Sequence, residues 1–285
     1  MEIYLLKPIK AAALALVVLA LRGNAVEPAK LSAEQTKVLE SARASALLYR
    51  AQLPDFICTQ VTHRNTAPKS LGTMGAGMVT RNAGAIPAGP DSSSDVIEEQ
   101  LTYTGREENY EVISVDGRRV KGMTHMQIQG GAISGGEFGS VLAQVFEPSS
   151  RTTFTWDRAA NLRGRHIYIF GFRVPREAGT TVADARTKNR TVVSFSGQIS
   201  IDPETLQVIE ITSKHDMPSG FPIQVFERRV EYAPQQIAGK TYSLPARSVI
   251  HIEDGAHVYV NKIDFKNYHR FTSESTIRSV EVAPN

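Results

Sequence analysis

Thr191–Ile201, which reads TVVSFSGQISI, has the most regular pattern of the chain and indicates its fold. From Val193 onward, apolar residues and Gly197 occupy every second position, and serine or glutamine occupies the positions between them. Successive side chains of an extended strand point to opposite faces, so this alternation predicts a strand with one dry face and one wet face. Such strands are typical of antiparallel sheets.

The flanking sequence extends this strand into an antiparallel sheet. Asp202–Thr205 (DPET) is a turn signal, and the apolar run Leu206–Ser213 returns as the second strand of a hairpin. Arg165–Val174 is apolar on both faces, which predicts a strand covered on both sides. Further strands are predicted at Phe56–His63, Tyr110–Val115, Thr152–Trp156, Ile223–Tyr232, Lys240–Ile252 and His257–Phe271.

Two helices interrupt this series of strands. Ser32 and Gln35 have the spacing of a capping box, and the stretch Ala33–Gln52, rich in Ala, Leu and Glu, predicts a long helix that ends before Pro54. A glycine-rich patch leads into a shorter predicted helix at Glu137–Phe146. Repeated strand–helix–strand units are missing, which excludes a parallel α/β fold. The sequence therefore predicts an α+β, mainly β protein whose antiparallel sheet curls around one or two helices.

The N-terminal residues have the order of a secretory signal peptide. Lys7 and Lys10 precede the apolar run Ala11–Leu21, and the small residues Gly23 and Ala25 follow it. An apolar run of this length is too short for a membrane span, which needs about 20 apolar residues. We therefore expect residues 1–25 to be removed and the mature protein to act outside the cytoplasm, in the periplasm or beyond the cell.

The mature chain, residues 26–285, is expected to form a single domain with one flexible insertion. The insertion covers Asn65–Asp95, where twelve of the thirty-one residues are Gly, Pro or Ser. Such a composition buries too little apolar surface to offset the entropy lost on ordering. Long loops of this kind are often lids or binding loops, although an insertion without a function is equally compatible with the sequence.

Charge and cysteine content narrow the classes of function. The whole chain has 32 basic and 29 acidic residues, and removal of the leader leaves 29 and 28, so no single-sign field remains to attract nucleic acid. Cys58 is the only cysteine, which excludes an intrachain disulfide. Its apolar neighbours Phe56 and Ile57 predict a buried free thiol in the first strand.

The sequence contains no recognisable catalytic, metal or cofactor motif. Ser134 lies among glycines, but the spacing differs from that of a nucleophile elbow. The seven histidines lack the spacing of three or four residues that brings two imidazoles to one metal on a helix. His251 and His257 flank a turn, yet a third ligand is missing. We expect neither an enzyme nor a metal or cofactor protein, with an unrecognised hydrolase as the remaining alternative of that class.

The C-terminal half resembles a known family over about residues 96–271. The features that carry the resemblance occur in order: Val192–Ile201, the Asp202–Thr205 turn, Leu206–Ser213, Met217–Pro218, Val230–Tyr232, Gly239, Leu244–Pro245 and Phe265–Phe271. This pattern resembles the periplasmic outer-membrane lipoprotein carriers, the LolA/LolB-like superfamily. The resemblance implies an incomplete antiparallel barrel wrapped around helices, which holds acyl chains or other hydrophobic ligands on its concave side.

These observations predict an exported envelope protein that binds a lipid or a lipoprotein acyl chain. A protein-interaction or sensor module of the envelope on the same fold is the alternative, with another envelope protein as its partner. The predicted ligand-binding face combines the apolar residues of two strands: Tyr168, Phe170, Phe172, Phe195, Ile199 and Ile201. An acyl chain on this face would gain about 0.8 kcal/mol per buried methylene, provided that helix side chains leave the interior partly open.

Overall fold

The computed structural model describes residues 30–69, 92–128, 138, 140–162, 164–184 and 186–271. Two helices lie in these residues: α1 Ala33–Gln52 and α2 Ser140–Phe146. The strands are β1 Phe56–Pro68, β2 Ser93–Thr104, β3 Glu107–Val115, β4 Arg118–Arg119, β5 Thr153–Leu162, β6 Arg165–Val174, β7 Thr180–Ala183, β8 Arg190–Val193, β9 Phe195–Asp202, β10 Gln207–His215, β11 Val225–Ile237, β12 Lys240–Glu253 and β13 His257–Arg270.

Eleven of these strands form one sheet in the order β4-β3-β2-β1-β13-β12-β11-β10-β9-β6-β5. All neighbouring strands in this sheet are antiparallel. The two outer strands, β4 and β5, do not pair with each other, so the barrel stays open. The predicted fold class, a mainly β protein with an incomplete antiparallel barrel and two helices, is confirmed.

Register shifts interrupt the strand pairs at five places in the sheet. A bulge adds a residue to one strand, bends that strand and increases its right-handed twist. Because the bulges are distributed along the sheet, they supply the bending that a curved sheet of eleven strands requires. They lie between Ile57 and Thr59, Glu98 and Glu99, Trp156 and Arg158, Val208 and Glu210, and Glu231 and Tyr232.

Helix α1 has the bounds that the sequence predicts. Ser32 Oγ accepts a hydrogen bond from Gln35 N at 3.1 Å, and Gln35 Oε1 accepts one from Ser32 N at 2.8 Å, which is a complete capping box. Val38, Leu39 and Ala42 are buried against the sheet. None of the described helices is long and apolar enough to cross a membrane.

The structure corrects the prediction of one continuous strand over Thr191–Ile201. The chain breaks at Ser194: β8 pairs with β7 in a separate two-stranded sheet, and β9 begins at Phe195. Ser194 Oγ donates to Asp216 Oδ2 at 2.7 Å, and Asp216 N donates to Ser194 O at 2.9 Å. Since the residue that fixes the break lies 22 positions away, alternation within the strand gave no sign of it.

The ends of the predicted insertion are strand rather than loop. β1 continues through Asn65 to Pro68, and β2 begins at Ser93, with Asn65 opposite Ser94 and Thr66 opposite Ser93. Polar residues are accepted here because the paired backbone groups satisfy each other. Residues 70–91 and the predicted signal peptide, residues 1–25, lie outside the described residues, and so does the start of the second predicted helix before Phe138.

Two predictions about burial are confirmed. Cys58 is a free thiol in β1 with 1% of its surface exposed, and this burial, with the nearby charge of Glu108, raises the pKa of the thiol. Strand β6 is covered on both faces, since Ile167 and Ile169 pack into a small cluster on the side opposite the helices.

Candidate functional site

The residues predicted to bind a ligand lie together on the face of the sheet that packs against α1 and α2, which we call the inner face. Phe170 is opposite Ile199 in the pairing of β6 with β9, and Tyr168 is opposite Ile201. Tyr168 is half-buried, and its hydroxyl donates to Glu34 Oε1 at 2.6 Å. The other five expose 4% or less of their surface: Phe170, Phe172, Phe195, Ile199 and Ile201.

The two helices fill the space above this face. Val38, Leu39 and Ala42 of α1 and Leu142 and Phe146 of α2 belong to the same buried cluster as the predicted residues. Tightly packed interiors of this kind leave no room for a ligand without a rearrangement. A ligand would reach these aromatic rings only after α1 or α2 moved away from the sheet, so their role in binding stays a prediction.

An open cavity lies beside this filled region, between the C-terminal half of α1 and strands β10 to β12. Its volume is about 670 Å³. Ligand sites commonly occupy about 300–1,000 Å³, so the cavity has the size of a small-molecule site. Among the described residues it is lined by Ala42, Ser45, Ala46, Leu48, Gln52, Leu142, Leu206, Gln207, Val208, Tyr232, Lys240, Thr241, Tyr242 and Ser243.

Two tight turns place residues at the edge of the cavity. The Asp202–Thr205 turn is held by Asp202 Oδ1, which accepts from Glu204 N at 2.9 Å and Thr205 N at 3.1 Å, and it delivers Leu206. Ala238 and Gly239 both have positive φ, the geometry of a two-residue hairpin turn, and Lys240 follows them. The sheet register thus fixes both residues relative to α1.

The lining of the cavity combines apolar and polar side chains, and the single charge among its described residues is positive. Small residues of α1, such as Ala42 and Ala46, leave the space open, and Leu142 and Val208 form part of the wall. Leu48 is 56% exposed, which is unusual for a large apolar side chain beside a cavity. Among the described lining residues, only one has a charged side chain, and it is a lysine. The arrangement suits an apolar molecule with a polar end.

The sequence did not predict this cavity, which lies beside the predicted ligand-binding face. The lining comes from two helices, three strands and one turn, and no single alternating strand contains it. The signal that was present is the spacing of Ala42, Ser45 and Ala46, which puts small residues on one face of α1. Small residues leave a groove where larger ones would close the contact with the sheet.

A buried polar band occupies another part of the inner face. Strand pairing connects Val230, Ser248, Ile263 and Thr62 in one row, which places alternate residues of β1 on the inner face. These alternate positions include a glutamine, a threonine and an arginine with exposed fractions of 5% or less. Buried polar groups normally have hydrogen-bond partners, so their contacts decide whether the band is structural.

The contacts within the polar band are mostly satisfied. Gln60 Nε2 donates to Glu99 Oε2 at 2.9 Å, and Arg64 Nε donates to Asp95 Oδ1 at 2.8 Å. Glu99 Oε1 lies 2.6 Å from Nδ1 of His125. In the described part of the chain, Nε2 of this histidine has no hydrogen-bond partner, so no serine or cysteine hydroxyl or thiol contacts it as a nucleophile would. The band therefore joins β1 and β2 to the short 3-10 turn His125–Gln127, which follows β4 in the chain.

A second group of charges fixes the turn between β12 and β13. Asp254 Oδ1 accepts from Ala256 N and His257 N, both at 2.7 Å, and Oδ2 lies 2.7 Å from a guanidinium nitrogen of Arg186. Burial alone would raise the pKa of Asp254, but these hydrogen bonds and one from Tyr259 lower it to about 2. The carboxylate is fully engaged, which makes it a structural anchor rather than a binding group.

The fold defines the class of protein first: an open antiparallel barrel with helices on its inner face. The chain is similar to a solved LolA superfamily protein from Nitrosomonas europaea, with 13% identity and a TM-score of 0.37 over 85% of this chain and 96% of that chain. A structure from Vibrio parahaemolyticus, described as an outer membrane lipoprotein-sorting protein domain, has 9% identity and a TM-score of 0.36 over 86% and 96%. A DUF1329 family protein from Desulfovibrio piger has 12% identity and a TM-score of 0.33 over 82% and 93%.

Comparison with protein-family models finds no match, and neither does comparison with curated proteins. Two of the three solved structures are described as a LolA superfamily protein and a lipoprotein-sorting protein domain. The cavity and its lining are the features of this chain that bear on its function.

Proposed function

We propose that this protein is an exported envelope protein that binds a hydrophobic ligand, a lipid or a lipoprotein acyl chain, without chemical conversion. The observation that supports the proposal is the cavity of about 670 Å³ between α1 and strands β10 to β12. An apolar wall gains about 0.8 kcal/mol for each methylene that it shields from water. A chain of ten methylenes would gain about 8 kcal/mol from burial, and the costs of association are subtracted from this gain.

The way reactive groups are placed in the described part of the chain favours binding over catalysis. Catalytic groups have to meet at a reacting atom, and activated nucleophiles need a base within hydrogen-bond distance. The closest arrangement in the described residues, Glu99 with His125, holds a carboxylate and an imidazole but lacks a contacting nucleophile. The cavity lies at other residues and contains neither of them.

Filling the cavity should abolish most of the binding without loss of stability. Ala46 lines the cavity, so in Ala46→Phe the added ring occupies the space that the ligand needs. We expect at least tenfold weaker binding of methyl cis-parinarate, a fluorescent neutral acyl probe, and an unchanged melting temperature. Fluorescence titration and thermal unfolding of the full mature chain measure both quantities.

The matched control for this variant lies two positions earlier in the same helix. Ala44 is exposed, so Ala44→Phe adds the same ring to α1 but outside the cavity, and it should bind the probe as the wild type does. Equal affinities of wild type and Ala46→Phe would contradict the proposed site. Equal losses in both variants would show that the probe binds elsewhere on the helix.

Export predicts a defined N-terminus for the mature protein. Cleavage after Ala25 would leave Val26 first, because the apolar run ends just before the small residues at positions 23 and 25. N-terminal sequencing of protein from the envelope fraction of the producing cells tests this prediction. An intact Met1 in that fraction would refute the cleavage, whereas the same result in a cytoplasmic fraction would refute export itself.

One observation favours the interaction or sensor module as a second candidate. Leu48 exposes 56% of its surface at the rim of the cavity, and exposed apolar groups beside a groove also occur where protein partners dock. The two candidates differ in the titration above. A partner module would leave the acyl probe unbound by the wild type.

A further inference from the structure

The cavity has a polar end, which is formed by the turn between β11 and β12. Lys240 is the first residue after this turn, is exposed, and lines the cavity together with Thr241 and Ser243. Ala42 and Leu142 of the two helices belong to the apolar part of the lining. The cavity therefore combines an ammonium group and hydroxyl groups on one short segment of β12 with apolar side chains from the helices.

No carboxylate of the described residues pairs with Lys240. Other lysines of the sheet do have such partners: Lys69 lies 2.8 Å from Glu253, and Lys214 lies 3.7 Å from Glu227. The lysine at the cavity is thus a positive charge that no described acidic side chain neutralises. An anionic group of a bound molecule would be attracted to it, and the more so where the apolar wall excludes water.

We propose that the occupant of the cavity is a single-chain amphiphile with an anionic head, whose charged head lies at Lys240 and whose chain extends toward Ala42 and Leu142. This inference rests on the proposed function and specifies its ligand class. A lysine is a compact point charge with three donors, so it accepts either a carboxylate or a phosphate. The head is therefore the carboxylate of a free fatty acid or the phosphate of a lysophospholipid.

The test compares two probes that differ only in charge: cis-parinaric acid and its methyl ester. We expect the wild type to bind the acid about fivefold more tightly than the ester at low salt, which corresponds to about 1 kcal/mol for one partly exposed ion pair. Lys240→Gln should bind both probes with the affinity that the wild type has for the ester. Lys266→Gln, which removes an exposed charge of β13 away from the cavity, should retain the fivefold preference.

Each result separates the ligand class from the proposed function. Equal affinities of the wild type for acid and ester, or a preference that survives in Lys240→Gln, would overturn the anionic head and leave acyl binding intact. Failure of both probes to bind would overturn acyl binding itself. Displacement of the bound acid by palmitate and by palmitoyl lysophosphatidate then distinguishes the two heads, since the natural source should compete at the lower concentration.

Discussion

Acidification from pH 7 to pH 4 is expected to remove roughly 3 kcal/mol of folding free energy through His215 alone. This imidazole is 3% exposed and stacks between two aromatic rings. Its ring centroid lies 4.1 Å from that of Phe226 and 5.1 Å from that of Phe195. Burial, and then the nearby charge of Arg228, lowers the pKa of His215 from 6.5 to about 4. Each unit of difference between the pKa values of the folded and unfolded chain corresponds to about 1.36 kcal/mol of folding free energy. The difference between 6.5 and about 4 therefore accounts for a loss of roughly 3 kcal/mol.

The sign of this pH dependence follows from a comparison of proton binding by His215 in the unfolded and in the folded chain. The unfolded chain takes up a proton on this histidine below pH 6.5, whereas the folded chain keeps the ring neutral until about pH 4. The stabilising effect is therefore complete above pH 6.5, decreases as the pH falls through this window, and is lost below pH 4. Urea unfolding of the mature chain at steps of half a pH unit between pH 4 and pH 7.5 measures how the free energy of unfolding changes with pH.

Two variants isolate this histidine from the other titrating groups. His215→Phe keeps an aromatic ring between Phe195 and Phe226, and His215→Gln keeps a polar group that can reach Phe226 O, the partner of the native Nδ1 at 3.2 Å. Neither side chain takes up a proton, so both variants should lose about 3 kcal/mol less than the wild type between pH 7 and pH 4. A wild-type slope that persists in both variants would show that other groups cause it.

The sequence revealed the elements whose signals are local. The spacing of Ser32 and Gln35 predicts the start of α1, where the structure has it. The DPET turn predicts a hairpin, and its two strands pair in the structure as β9 and β10. Cys58 was correctly placed in a buried first strand. In each case a side-chain pattern within a few residues determines the local backbone, which is why reasoning from the chain alone succeeded.

The cavity could not be predicted from the sequence, because its lining residues are distant in sequence and come together only through the register of the sheet. Tyr168 and Phe195 were correctly assigned to one apolar face, but whether α1 and α2 fill that face depends on packing at side-chain resolution. Leu206 and Lys240 carry no pattern of their own and reach the cavity through turn geometry. The polar band that includes Gln60 could not be predicted either, because residues that point to the inside of a sheet are expected to be apolar.

Replacing Gly197 with alanine is expected to destabilise the folded protein strongly, although it adds only one methyl group. A Cβ at this position would lie 1.8 Å from the carbonyl oxygen of Thr212 and 3.0 Å from Cα of Ser213, both backbone atoms of the paired strand β10. Overpacking usually costs about 1–3 kcal/mol, but that range assumes side chains that can move aside. Here two paired strands of the central sheet must separate, so we expect a loss above 3 kcal/mol, a large fraction of a typical stability of about 5–15 kcal/mol.

The neighbouring glycine supplies the matched control for this prediction. A Cβ at Gly171 would lie 2.8 Å from the side-chain hydroxyl of Thr155, which can rotate away, and 4.0 Å from the backbone oxygen of Gly197, which is an ordinary contact. Gly171→Ala should therefore change the free energy of unfolding by less than about 1 kcal/mol, which chemical denaturation of both variants measures. Equal and small losses in the two variants would show that β9 and β10 can shift apart at Gly197 and that the sheet is less rigid there than its pairing indicates. A loss confined to Gly197→Ala would identify the β9–β10 pair as the part of the sheet that holds the inner-face core in place.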